Sequence, residues 1–387
     1  MKVEININDL KVGHYVDKIG KQLGHFNLAS SGHVKNDKVI NNFKDKKVLS
    51  VFIDKSKTIE IDSAIDIKKT AKEKFSADLK YAKEIFDESK EIQKSLFSQA
   101  LSSANIELTP VISVCNKSID AIFNNPDSLA CILNIREKDQ YLLEHSVAVS
   151  IYITIFARYL DLDRDIIEQL SIGAFLHDIG KIMIPDKILN KPGKLTDTEY
   201  SIMKTHANHS IDIIKKTPDI SELSLEVAAL HHEKLDGTGY PFQIKGENIS
   251  QFGRMIAICD IFDALTATRV YKKGFSHPKA FVILRELAQN NHLDIELVDH
   301  FIRCIGVFPV GSLVQLDSKK LAMIEKRNDK NPTKPKVRSF YSVTVKDFVD
   351  AEDINLAESS DFIEKGVCAE EFDLDMNIII EMLMMDG

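Results

Sequence analysis

The run GAFLHDIGKI, residues 173–182, sets a histidine and an aspartate among Phe175, Leu176, Ile179 and Ile182. No other feature limits the fold so strongly, because an ionised aspartate on a helix face bound for the core is costly unless a strong partner meets it there. A metal ion is such a partner. Other donors stand in similar settings: His145 opens HSVAVSIYITIF, His206 lies in IMKTHANHSIDII, His231 and His232 end LEVAALHH, and Asp260 sits in MIAICDIFDALTA. Each falls at an end or on the buried face of a predicted helix, so several helices converge on one point. The chain is read as mainly α around that point.

Adjacent residues on a helix point about 100° apart, so His177 and Asp178 do not chelate side by side. A carboxylate has two oxygens, however, and Asp178 can bridge two ions while His177 binds one of them. A pair of ions clamps a phosphoryl group and activates a bridging water. Imidazole suits zinc, iron and similar ions. His14, His25, His33, His277, His292 and His300 lack such company and are read as ordinary core or surface residues; His209 is read as a surface neighbour of His206.

A chain of 387 residues exceeds one core. Residues 1–62 read as a small β-rich module, with Val3, Ile5 and Ile7 alternating and VLSVFID reading as a strand. Residues 63–108 read as a connecting helix with a narrow apolar stripe at Ala71, Phe75, Leu79, Ala82, Phe86, Ile92 and Leu96. Such a stripe suits a homodimer seam through 63–104 and packing on its own chain equally, and periodicity does not separate the two. Residues 109–311 form the helical domain that carries the donors. Residues 312–387 return to β in SLVQL, AMIEK and KVRSFYSVTV, followed by an acidic segment and a helix candidate, MNIIIEMLMM, packing onto the fold.

A net charge of −8 and a pI near 5.9 argue against a broad grip on DNA or RNA. The apolar run 147–157 is broken by Ser150 and Thr154 and ends at Arg158, too short for membrane insertion, and the first residues lack an apolar signal core. Five scattered cysteines with no C-x-x-C pair indicate neither a disulfide framework nor a thiolate zinc site. A cytoplasmic location is expected.

HDIGK at 177–181, HHEKLDGTGYP at 231–241 and DIFDALTATRVYKK at 260–273 closely resemble the signature of the HD-GYP family, a branch of the HD-domain metal-dependent phosphohydrolases. The resemblance covers about residues 126–311, and residues 1–104 look like the small domain that precedes HD-GYP domains in some bacterial proteins. It implies a helical phosphodiesterase that opens the second messenger cyclic di-GMP to linear pGpG and in some members on to GMP; others accept cyclic GMP-AMP. It further implies that His145, His177 and Asp260 hold one metal and His206, His231 and His232 the other, with Asp178 bridging. Iron or manganese is the implied metal, although the donors alone allow zinc. Lys181 is expected to orient the phosphate or assist the leaving group, and Arg269 and Lys272 to grip phosphate or guanine. Some members bind a third metal through a Glu one turn before the first histidine; this chain has Tyr141 there, so two metals are expected. The family segment usually has Pro where Val270 stands. Asp236 and Glu233 are expected to organise the GYP loop, with Gly237 and Gly239 supplying unusual backbone angles. A receptor or signalling scaffold that binds nucleotide and a signalling protein partner without hydrolysis is the alternative from another class.

Overall fold

A computed structural model describes residues 2–11, 14–23, 31–34, 37–57, 61–102, 105–134, 141–267, 274–328, 330–376, 378 and 379. The side chains of 37, 38, 61–74, 76 and 141 lie outside the description. The chain divides into two compact units, residues 1–77 and 78–387.

In the first unit, strands β1 (Lys2–Asn6), β2 (Tyr15–Ile19), β3 (Gly32–His33) and β4 (Ser50–Asp54) form an antiparallel sheet in the order β1-β4-β2-β3, with helix α1 (Asp37–Asp45) between β3 and β4 in sequence. The alternation Val3, Ile5 matches the pairing Val3↔Ile53 and Ile5↔Val51. Val16, Ile40, Phe43, Val51 and Ile53 share its core.

Helix α2 (Ile61–Leu101) crosses from the first unit into the second. From Leu79 onward its stripe, with Leu79, Ala82, Phe86 and Leu96, is already buried within the single chain. Helices α3 (Leu108–Asn124), α4 (Pro126–Asn134), α5 (Tyr141–Tyr159), α6 (Arg164–Leu176), α7 (Asp186–Leu189), α8 (Asp197–Lys215), α9 (Glu222–Leu230), α10 (Gln251–Thr266), α11 (His277–Gln289) and α12 (Ile295–Ile305) complete the expected helical region. Local sequence starts several of them: Thr196 and Glu199 form a capping box on α8, while the Ser221 and Ser250 hydroxyls accept from Ser224 N–H and Gly253 N–H at the starts of α9 and α10. Tyr152, Phe156, Phe262 and Phe301 pack edge to face in the core, with ring centroids 5.0–6.4 Å apart. Phe262 lies two residues from Asp260 and Phe175 two from His177, so the tightest packing anchors the elements that carry the donors.

The C-terminal strands β5 (Leu313–Leu316), β6 (Lys320–Lys326), β7 (Lys336–Ser342), β8 (Asp347–Asn355) and β9 (Ile363–Val367) form an antiparallel sheet ordered β8-β7-β6-β5-β9. Both faces are covered: Leu313, Leu321 and Phe340 join one cluster, Val314, Ala322 and Ile324 the other. Much of the acidic segment is strand. β8 sits at an edge, where Asp350, Glu352 and Asp353 leave one side in water and guard against pairing with another chain. Most of MNIIIEMLMM lies outside the described residues. Among the described residues no helix is long and apolar enough to cross a membrane.

Candidate metal centre

His177 and Asp178 are not in a helix interior, as the apolar run suggested. Helix α6 ends at Leu176; His177 keeps helical angles, Asp178 turns to φ −103°, ψ 7°, and a 3-10 turn follows over Ile179–Met183. Two bonds account for the break. His177 Nδ1 donates to the Ala174 carbonyl at 2.6 Å, and Gly180 N–H donates to Ser210 Oγ of α8 at 2.8 Å instead of continuing the ladder. The break removes the 100° separation of helical neighbours. It brings His177 Nε2 to 3.3 Å from Asp178 Oδ2.

Three imidazoles are set by one rule. His177, His206 and His231 each direct Nδ1 at the carbonyl three residues earlier, Ala174, Met203 and Ala228, at 2.6–2.7 Å. A carbonyl only accepts, so Nδ1 carries the hydrogen and Nε2 keeps a lone pair. Burial, more than any neighbouring charge, keeps His206, His231 and His232 neutral: it lowers His206 to about 4 and His232 to about 3, and His231 lies well below its usual value. The Nε2 atoms of His206 and His231 lie 3.4 Å apart and those of His206 and His232 3.2 Å. Nitrogen atoms gathered so closely suit a cation among them.

His145, on α5, is treated differently. Its Nδ1 is 2.7 Å from Asp263 Oδ2 and its Nε2 2.9 Å from Asp260 Oδ1. Burial alone would lower its pKa, but the bonds to Asp260 and Asp263 outweigh it and raise the value to about 9. Asp178 lies between the groups: Oδ1 is 3.3 Å from His206 Nε2 and 3.9 Å from His231 Nε2, while Oδ2 is 3.4 Å from His145 Nε2. Burial would raise its pKa, yet Lys181 and His177 hold it well below the usual carboxylate range. The Lys181 ammonium touches Asp178 Oδ2, so Lys181 addresses the aspartate directly rather than only sharing a face with His177.

Donor atoms of His145, His177 and Asp260 lie within 4.8 Å of one another, as do those of His206, His231 and His232, and those of His177, Asp178 and His231. His177 Nε2 and Asp178 Oδ1 are buried without a hydrogen-bond partner. Orphaned acceptors of this kind fit a divalent metal and little else.

The loop after His232 is held from below. The buried Glu233 carboxylate accepts from the N–H groups of Phe242, Gln243 and Ile244 at 2.7–3.1 Å, and Asp236 accepts from Thr238 N–H at 2.9 Å. Both acids organise the loop as the sequence suggests. Gly237 has the expected positive φ of 81°, but Gly239 does not; it is needed because a Cβ there would lie 2.5 Å from Glu233 Cα and Lys234 N. The Tyr240-Pro241 bond is cis, and the Tyr240 ring lies 4.6 Å from that of His232.

The family profile of the HD domain matches residues 130–297, a span that contains every donor and the GYP segment; residues 2–111 match a domain of unknown function (DUF3391). A cyclic di-GMP phosphodiesterase of Pseudomonas aeruginosa is 29% identical over 362 residues, covering 89% of this chain and 87% of that protein. The helical region of this chain is thus similar to the HD domain family, and the chain as a whole is similar to a phosphodiesterase of cyclic di-GMP. Two Vibrio cholerae relatives match part of this chain: a cyclic di-GMP phosphodiesterase, 38% identical over 51% of this chain and 40% of its own length, and 3'3'-cGAMP-specific phosphodiesterase 3, 40% identical over 41% and 35%. This chain thus spans about two fifths of each Vibrio protein.

In this candidate metal centre, His145, His177, Asp178, Lys181, His206, His231, His232 and Asp260 come together. Arg269, Lys272 and Val270 lie outside the described residues. Asp263 escaped the sequence reading. It follows Asp260 by three positions on α10, in DIFD, and its buried carboxylate accepts from His145 Nδ1 and fixes the aim of the ring. Asp263→Asn is expected to weaken metal retention by about 10–100-fold. Metal content after dialysis against a graded chelator checks this, and unaltered retention would contradict it.

Proposed function

We propose that this chain is a metal-dependent phosphodiesterase that opens a cyclic dinucleotide, with cyclic di-GMP as substrate and linear pGpG as first product. The observation that carries the reading is the arrangement of Asp178, one oxygen toward His206 and His231 and the other toward His145 and His177. In this reading His145, His177 and Asp260 hold one divalent ion, His206, His231 and His232 a second, and Asp178 bridges. Iron or manganese held there would activate a water and offset charge developing on the phosphate.

The protein's own groups do the rest. Neutral Nε2 lone pairs are present at physiological pH because burial suppresses protonation of His206, His231 and His232. Lys181 holds a cation beside Asp178, ready to orient the phosphate and to assist departure of the 3′ oxygen. Arg269 and Lys272 are assigned the second phosphate or a guanine, where a planar guanidinium forms paired bonds. Cyclic di-GMP is favoured because the relative that acts on it aligns along nearly the whole chain, N-terminal unit included. The relative named for cyclic GMP-AMP aligns over 41% of this chain.

The test is a side-by-side assay of cyclic di-GMP and 3'3' cyclic GMP-AMP with iron- and manganese-loaded protein under reducing conditions, with metal analysis of the same sample. Faster opening of cyclic di-GMP is expected. Faster opening of the mixed nucleotide would reassign the substrate, and binding without hydrolysis of either would make the chain a receptor.

A further inference from the structure

Helix α2 lies outside the span matched by the HD domain profile, yet its side chains reach residues beside the donors. Gln93 is buried, and its Nε2 donates to the carbonyl of Phe175 in the last turn of α6. One turn earlier Lys90 Nζ stands 3.8 Å from Oε1 of the buried Glu144, the residue before His145. A buried amide on a stripe that otherwise carries Leu79, Ala82, Ile85, Phe86, Leu96 and Phe97 is costly unless its bond serves a purpose.

The last carbonyls of a helix have no partner within it. At the end of α6 the Ala174 carbonyl is taken by the His177 imidazole and the Phe175 carbonyl by the Gln93 amide. These bonds stand where the chain leaves the helical path, and that departure sets Asp178 beside His177. We infer that Gln93 is a positioning residue for the metal centre, holding the end of α6 and through it the aim of His177 and Asp178. The inference rests on reading the cluster as a metal site. It extends the catalytic unit backward to the helix that enters it.

Gln93→Met keeps the volume and removes the donor. Gln93→Asn keeps an amide but draws it back by one methylene. Ser89→Ala is the control, since Ser89 is equally buried one turn earlier but donates within α2, to the Ile85 carbonyl at 2.7 Å. Manganese affinity is read by equilibrium dialysis with elemental analysis of the full chain, well below the unfolding midpoint of every variant, alongside kcat and KM for cyclic di-GMP. Both Gln93 variants are expected to lose about 10–100-fold in metal affinity, the range for groups that orient a ligand. Their kcat should fall at unchanged KM, and Ser89→Ala should match the unmodified protein. Gln93 variants that bind manganese as tightly as Ser89→Ala overturn the inference, and so does a Ser89→Ala loss equal to theirs. An unmodified protein that binds no manganese or iron overturns the metal-site reading itself.

Discussion

Asp178→Ala is expected to reduce cyclic dinucleotide turnover by more than about a thousandfold, beyond what one missing oxyanion donor removes. The aspartate faces both histidine groups at once, so its loss disturbs both donor groups and leaves the Lys181 ammonium facing imidazoles without the carboxylate it now touches. Removing one member of a buried charged pair is more damaging than removing both. Metal content should fall together with rate. A metal-replete Asp178→Ala protein that retains a tenth of the activity would refute the bridging role.

Gly180→Ala is expected to act through the backbone. A methyl at position 180 would fall against the carbonyl of His206 and the amide nitrogen of Ser210, and neither can swing aside as a side chain could. The turn after Asp178 would be driven off α8. The stability cost is placed at or above the upper end of the roughly 1–3 kcal/mol that overpacking incurs. The 3.3 Å approach of Asp178 to His206 would be lost with it. Urea unfolding and metal titration report the two effects separately. An unfolding midpoint equal to that of the unmodified protein would show that the contact is not as tight as the geometry requires.

The donors were legible because each interrupts an apolar helix where it would otherwise be penalised, and a shared penalty points to a shared remedy. His145, His206, His231 and Asp260 could be placed on helices from periodicity alone. What escaped detection depends on distant partners. Gly180 is the local hint that α6 ends near Asp178; the bond that ends it comes from Ser210, thirty residues on. Asp263 becomes a partner of His145 only when α10 packs on α5. Gln93 looks like a polar lapse in a stripe until the end of α6 is seen beside it.

The tethering of His177, His206 and His231 to their own helix carbonyls bears on which ion the centre accepts. An imidazole free to choose among rotamers could follow ions of different radius. Here each ring is locked to the end or inner turn of its helix, and retuning a donor distance means translating a helix against a close-packed core. Ion preference therefore behaves as a property of the whole bundle, and substitutions in the Phe156, Phe262 and Phe301 cluster should be able to alter it without touching a ligand.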